Sequence, residues 1–590
     1  MSFLRTGSAL AGLVCVLHLL AGGGTMAAGQ DSVPDDPTPK APSLSDSQSD
    51  GDRTLRIAVA EIPGGLHPLL DGQGVTSYIG WMMLRPITAY DGEWRLVCGL
   101  CTELPSRRNG RIRDVTLPDG RAAVAVRFTL QRDARWGDGT PVSSRDVVFA
   151  WEIGRHADVG VSNRDFFAKD VLSVEAVDDK TFIVYRAKDT CRPEDMGVTV
   201  PAPVHVDREI FIRDPAAFRV HCTYESKPDN PGIWHGPYRL VEKRPDGVTL
   251  ERNPSWYGTP PWFDRIIVRY SDSSADMAEA LLSGAVDYVA GEYGFTVHQA
   301  AQLERQVGDR FTVLWEPGLA FRHLDLDHDH PALRDVRVRR ALLHALDRDR
   351  INDRLFGGRH IVAHTDVHPM DTVHEEEVMR HPYDPADAAR LLEEAGWSLG
   401  SDGLRRNGEG EVLELPLWAG AGDRTIELEQ QFIQDSWRRI GVRADLRQAP
   451  ARILFGEVLT ERRFGGAALF SWISLPRTPA DTVLHSAQIP TPANGWTGQN
   501  YMAYRNPRMD AILDGIDTAC EPAANRRLWA EMQRIYAEDL PALPLFFMSQ
   551  PYFLPRWLTG VEPTGHQFES TLRIEHWRRV DPDIPPVVGQ

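Results

Sequence analysis

Two groups of residues in this chain have the types and spacings that chemistry requires. The first is Cys98-Gly-Leu-Cys101, a C-x-x-C pair of the kind found in redox centres. No strand-helix-strand pattern of the thioredoxin type surrounds it, so a catalytic redox role is not expected. The second group is rich in histidine. "HLDLDHDHP" holds His323, His328 and His330, and "RHIVAHTDVHPMDTVHEEE" holds His360, His364, His368 and His374. Imidazoles four residues apart share a helix face and can grip one metal ion. Pro369 and the β-branched neighbours make the second segment an irregular loop instead. In the first, Leu324 and Leu326 alternate inward and direct His323 outward. Solvated histidines are expected, with no metal and no cofactor. The chain contains no G-x-S-x-G, H-E-x-x-H or P-loop pattern. Scattered Ser, His and Asp residues arise by chance in a chain this long, and an enzyme is not expected.

The elements that position these residues are legible from periodicity. In "FTLQRDARWGDGTPVSSRDVVFAWE", Phe128 and Leu130 alternate with polar residues as in a half-buried strand. Gly137, Asp138 and Gly139 form a tight turn, and Ser143 with Asp146 forms a variant of the capping box. Val147, Val148 and Trp151 give the following helix its buried face. No nucleophile here is paired with a base, so the stretch is a strand-turn-helix joint. Around it "VTLPDGRAAVAVRFTL", "SVEAVDDKTFIVYR" and "YRLVEKRPDGVTLER" read as hairpins, with Val124, Val126 and Phe128 on one face.

After Asp264 strands and helices alternate. "RIIVRY", "SADMAEALLSG" and "AVDYV" form a crossover unit. "LRDVRVRRALLHALDRDRI" reads as one amphipathic helix, with Val338, Ala341, Leu342 and Ala345 inward and arginines outward. In "YDPADAARLLEEAGW", Asp384 caps, Pro385 takes the first helical position and Gly396 stops the helix.

Composition narrows the class. A chain of 590 residues exceeds a single core, and 42% apolar with 9% aromatic residues suits globular lobes. The 16 tryptophans suit both cores and ligand clefts. A net charge of −18 argues against nucleic acid and anionic lipid as partners. Arg5, the apolar run Ala9–Leu20 and the small residues up to Ala28 have the layout of a secretory signal peptide. Val14 before Cys15 breaks the lipoprotein pattern. Gln30–Arg53, rich in Pro, Asp and Ser, reads as a tether.

The joint "RDARWGDGTPVSSRDVVFAWE" resembles the signature of the family 5 extracellular solute-binding proteins. These include the oligopeptide-, dipeptide- and nickel-binding receptors of ABC importers. "NPSWYG", "ALLSGAVDYV", "RDVRVRRALLHALDRDRI", "YDPADAARLLEEAGW", "GQNYMAYRNPRMDAILD", "MQRIYAEDLPALPLFF" and "IEHW" continue the resemblance in order, from Leu55 to Trp577. It implies an α/β, two-lobed periplasmic-binding-protein fold of type II, with an extra β-rich subdomain in the first lobe. The expected division is a signal peptide at 1–28, a linker at 29–53, and a first lobe at 54–289 containing the subdomain 96–203. A second lobe covers 290–540, a return to the first lobe 541–580, and a tail 581–590. The resemblance further implies a periplasmic monomer that closes on a peptide or peptide-like solute and delivers it to a membrane permease with its ATPase subunits.

Peptide-binding relatives clamp the ligand's ammonium group with the aspartate of a W-x-x-D segment. Here the segment is "SWISLP", with Leu475 at the aspartate's place. Either another acid such as Asp481 replaces it, or the ligand has no free amine there; a glycan fragment, opine-like compound or metal chelate is the alternative solute. The candidate ligand-binding residues are Trp418, Trp472, Ser471, Ser474, Glu61, Asn500 and Tyr501. Cys191 and Cys222 lie in polar, loop-like sequence near the subdomain's junction, and a disulfide between them is expected, with Cys98–Cys101 as the runner-up. Sequencing the N-terminus of the secreted chain is expected to place cleavage after Ala27 or Ala28, without lipid. An intact leader or an acylated cysteine would overturn that.

Overall fold

The computed structural model describes residues 53–581, except 162, 163, 165, 189 and 272. The expected leader, nearly all of the tether and nearly all of the tail lie outside the described residues. The first lobe is built on a five-stranded sheet in the order Tyr288–Val289, Thr54–Val59, Arg265–Tyr270, Gly247–Arg252 and Tyr238–Arg244. Thr54–Val59 runs parallel to both its neighbours, as the crossover through the helix Ser274–Ser283 requires. Leu55, Ile57 and Val59 are fully buried. A four-stranded antiparallel sheet, Ile112–Thr116, Ala122–Thr129, Thr181–Ala187 and Val171–Ala176, packs into the same core. Val124, Val126 and Phe128 face inward together, and Phe128 stacks on Phe182 at 5.3 Å.

The strand-turn-helix joint leaves the end of Ala122–Thr129 and precedes the sheet's last two strands in the chain. Gly139 takes a φ of 89°, and a Cβ on Gly137 would sit 2.8 Å from the carbonyl of Pro231. Asp146 closes the capping box and also accepts the backbone N–H of Val204 at 3.0 Å, tying the helix Ser144–Arg155 to the next segment. The helix buries Val147, Phe149, Ala150 and Ile153, while Val148 and Trp151 are half-buried; the inward face is rotated from the expected one.

The second lobe has a six-stranded sheet in the order Ile361–Val362, Ala542–Pro555, Phe311–Leu326, Ala467–Ile473, Glu414–Gly420 and Arg443–Ala449. Helices cover both faces. Leu324 and Leu326 pack with Leu342, Leu392 and Trp437, and Phe321 packs on the other side with Met509, Trp529 and Tyr536. The single helix expected over "LRDVRVRRALLHALDRDRI" is two, Val336–His344 and Arg348–Phe356, because Asp347 caps the second. Val338, Ala341, Leu342 and Ala345 are buried as expected. Arg339 is also buried, contrary to expectation, since its guanidinium bonds the carbonyls of Leu333, Arg334, Asp539 and Leu540.

Two strands belong to both lobes. Phe311, Val313 and Phe553 pack in a cluster with Ala58 of the first lobe, and Leu324, Leu326 and Phe546 pack in the second. Their antiparallel ladder slips between Pro317 and Phe321, where Gly318, Leu319 and Ala320 oppose a single residue. Such a bulge bends a strand and interrupts its pairing. The chain then returns to the first lobe, where Phe568, Leu572, Ile574 and Trp577 join the core.

Within that return Glu569 is buried. Its Oε2 accepts the Trp81 indole N–H at 2.8 Å and its Oε1 the Tyr293 hydroxyl at 2.9 Å. Burial pushes its carboxyl up from 4.5 to about 8. A raised acid stabilises the fold fully below its unfolded value and loses that contribution as pH rises toward the folded value. The stability difference between the parent and Glu569→Gln, followed by denaturant unfolding from about pH 5 to about pH 8, should therefore fall with pH. Its slope is at most about 1.4 kcal/mol per pH unit. A pH-independent difference would mean that the carboxyl is ionised in the fold.

Candidate ligand-binding site

The strand Ala467–Ile473 ends beside the bulge of the crossing strands, where Phe321 pairs with Trp472 and the Leu319 carbonyl accepts the N–H of Ser474 at 2.8 Å. Side chains alternate along this strand. Phe470 and Trp472 share one face and meet edge-on at 5.4 Å, and the Tyr501 ring lies 6.0 Å from Trp472. Trp418 borders the same cluster from the neighbouring strand. Trp418, Trp472 and Tyr501 are thus brought together. The Trp472 indole N–H is covered from solvent and has no hydrogen-bond partner. The Trp418 N–H is spent on the carbonyl of Phe464 at 3.1 Å, with the Arg447 guanidinium 5.5 Å over its ring.

The other candidates are placed differently. Ser471 points to the opposite face from Trp472, and its hydroxyl reaches the sulfur of Met548 at 3.6 Å. The Ser474 hydroxyl donates to the carbonyl of Asp366 at 2.9 Å. Asn500 is fully buried and locks its own loop: its amide donates to the carbonyls of His485 and Tyr504 and accepts the N–H of Tyr504. That accounts for the side chain without a ligand. Glu61 is half-buried just past the first strand, away from the Trp472 strand in sequence and sheet. Two surface hollows, of about 480 and 410 Å³, are lined by neither Trp472 nor Trp418.

The lobes touch through residues that periodicity does not single out. Trp94, at a φ of 59° in the turn between Thr88–Tyr90 and Leu96–Cys98, stacks on His368 at 4.8 Å. Arg192 donates to the Tyr90 hydroxyl at 2.8 Å and, across the interface, to the carbonyl of Arg477 at 2.8 Å. The Arg477 N–H in turn donates to Asp371 at 2.6 Å. A tryptophan in an Asp-Gly-Glu-Trp turn is the one sequence cue to this contact.

Three of the seven histidines, His323, His360 and His368, are buried rather than solvated, and His328, His330, His364 and His374 are half-buried. His323 lies on a central strand covered on both faces, His360 accepts the N–H of Ser549 at 3.1 Å, and His368 packs between Trp94 and Phe547. Burial lowers His360 and His368 to about 3 and His328 and His364 to about 4, so they are neutral at neutral pH. Among the described residues no group of three or more His, Cys, Asp or Glu side chains is arranged to hold a metal ion.

The expected Cys191–Cys222 disulfide is not formed. Cys222 is buried in the first-lobe core, where burial pushes its thiol up to about 12. Cys191 is half-buried and bonded to Cys520, and Cys98 is bonded to Cys101. Spacing along the chain is no guide to which loops meet across two lobes.

Residues 123–493 match the family model described as bacterial extracellular solute-binding proteins, family 5 Middle. A Brucella ovis protein named as a putative ABC transporter peptide-binding protein is 28% identical over 342 residues, 57% of this chain. The chain spans 59% of the length of that relative. The oligopeptide-binding protein AppA of Bacillus subtilis is 22% identical over 78% of this chain and 81% of its own. Two solved structures share the fold. An oligopeptide-binding protein from Thermus thermophilus, complexed with a pentapeptide, superposes with a TM-score of 0.67 at 24% identity, covering 90% of this chain and 96% of that one. NikZ from Campylobacter jejuni, in complex with Ni(L-His), gives 0.69 at 21% identity, covering 90% and 100%. Two α/β lobes joined by paired crossing strands, and a family match over more than half the chain, lead to one conclusion: the chain belongs to the bacterial extracellular solute-binding proteins of family 5.

Proposed function

We propose that this chain is the periplasmic receptor of an ABC importer, closing its lobes over an extended peptide or peptide-like solute and presenting it to a permease with its ATPase subunits. The observation that carries this reading is the aromatic face of Trp472, Phe470 and Tyr501 beside the crossing strands, with an indole N–H left to donate. A flat ring packs against a backbone of any side-chain sequence, and a single donor fixes its register. The names of the relatives, peptide-binding in the Brucella and Bacillus proteins, support the same class. The second reading, a non-peptide solute such as a metal chelate, is favoured by Leu475, which offers no charge to an amine, and by the Ni(L-His) complex of NikZ.

Native mass spectrometry of gently purified protein separates the two, through a ladder of peptide masses or a stoichiometric chelate. For a bound peptide, Trp472→Ala is expected to weaken affinity roughly 10- to 100-fold by calorimetry. Trp472→Phe keeps the ring but loses the donor, and should cost only about 2- to 10-fold. Unchanged affinity in both variants would remove Trp472 from the site.

Leu475 generates a second expectation. Truncating one partner of a desolvated ammonium-carboxylate pair costs on the order of 2–5 kcal/mol. Without such a pair, a peptide and its N-acetylated form should bind within about threefold of each other. A large loss on acetylation would show that another acid, such as Asp481 or Glu61, takes the amine. If neither form binds, the non-peptide reading replaces the peptide one.

A further inference from the structure

Cys191 and Cys520 are bonded to each other across 329 residues of sequence, with their Cα atoms 4.5 Å apart. Cys191 lies in the loop after the strand Thr181–Ala187, whose Phe182 and Val184 belong to the first-lobe core. Cys520 lies between the helices Pro507–Thr518 and Pro522–Asp539, which bury Met509, Leu513, Trp529 and Met532 against the second-lobe sheet. The bond therefore joins one lobe to the other. We infer that it is a redox latch on lobe closure: oxidised, it holds the lobes shut, and reduced, it lets them part. This rests on the reading of the molecule as a hinged receptor.

The argument is geometric. The backbone passes between the lobes through the crossing strands, and a hinge there leaves the lobes free to swing apart elsewhere. A disulfide keeps its Cα atoms within about 7 Å of each other. From 4.5 Å, the tied edges can separate by only about 2–3 Å. Admitting an extended chain with its side chains needs a gap closer to about 10 Å, the spacing of packed sheets. The bond and an open cleft exclude each other. Arg192, beside Cys191, donates to Arg477 across the same interface, so the latch stands at a contact that parting of the lobes would break.

Cys98–Cys101 differs in kind. It spans three residues within one lobe, and Cys101 is fully buried, so its redox state leaves the lobes unconstrained. Cys520 is exposed and Cys191 half-buried, which leaves a sulfur open to attack. A thiolate of a dithiol reductant attacks Cys520 Sγ, the S–S bond breaks, and Cys191 leaves as a thiolate that takes up a proton. The second thiol of the reductant then attacks the mixed disulfide and releases Cys520. The protein gains two electrons and two protons, and the dithiol becomes a disulfide.

The test uses small-angle X-ray scattering on the full mature chain, oxidised or treated with dithiothreitol, beside the double variant Cys191→Ser/Cys520→Ser. Reduction should raise the parent's radius of gyration to that of the double variant, while the variant's own value does not respond to dithiothreitol. Because the variant keeps Cys98–Cys101, it controls for loss of that bond. Peptide mapping without reduction should recover the Cys191–Cys520 linked peptide. Free thiols at both positions in unreduced protein would overturn the inference. So would equal radii for oxidised parent, reduced parent and variant. The scattering is done on protein stripped of retained ligand and checked by native mass spectrometry, so a wrong ligand class leaves the latch standing, and a failed latch leaves the binding assays unaffected.

Discussion

The antiparallel ladder between Phe311–Leu326 and Ala542–Pro555 is shared by the two lobes, and each lobe's core needs its own end of it. At one end Phe311, Val313 and Phe553 fill the space beneath Ala58; at the other Leu324, Leu326 and Phe546 close the helical side of the second sheet. Between them the pairing slips at Gly318, Leu319 and Ala320. The regular pairing and its interruption thus lie in the same two strands. The Trp472 strand pairs directly beside the slip, so a rotation there moves the aromatic face relative to Trp94 and Arg192 of the other lobe.

The interior is rich in polar groups held neutral or pinned by backbone. Glu569 is kept protonated by burial, and His360 and His368 are kept neutral by it. Arg339 is satisfied by four carbonyls at helix and loop ends. Such groups cost free energy unless every hydrogen bond is made, and in return they admit few alternative packings. Arg339 meets that condition, whereas the Nε2 atoms of His360 and His368 are covered without a hydrogen-bond partner.

Much of the fold is legible in the sequence because it is local. Asp384, Pro385 and Gly396 each do at the ends of their helix what their chemistry dictates, and the hairpins around Pro118-Asp119-Gly120 and Asp246-Gly247 form where turn residues stand. The family signature around Gly137 and Ser143 is a joint, as its lack of a paired nucleophile implies. What fails is long-range. One strand's alternation points His323 to solvent, although a central strand is covered on both faces. Helical period points Arg339 outward, although the neighbouring helix end at Asp539 and Leu540 offers it carbonyls. In the site, Trp472, Trp418 and Tyr501 do gather, but Asn500, whose polarity suits a ligand, is consumed by its own loop. The Cys191 partner lies in another lobe, beyond any argument from spacing.

The separation of the crossing strands along the chain has a consequence for how the molecule comes into being. Nearly all of the second lobe must be made after Leu326 before its partner strand Ala542–Pro555 exists, and neither lobe can finish its core until then. Loop closure over that length is slow, and nuclei of local structure form long before it. Hairpins and capped helices can gather early on the emerging chain, while an unpaired Phe311–Leu326 strand stays a sticky edge through synthesis. The last strand to arrive is the one that completes both halves at once.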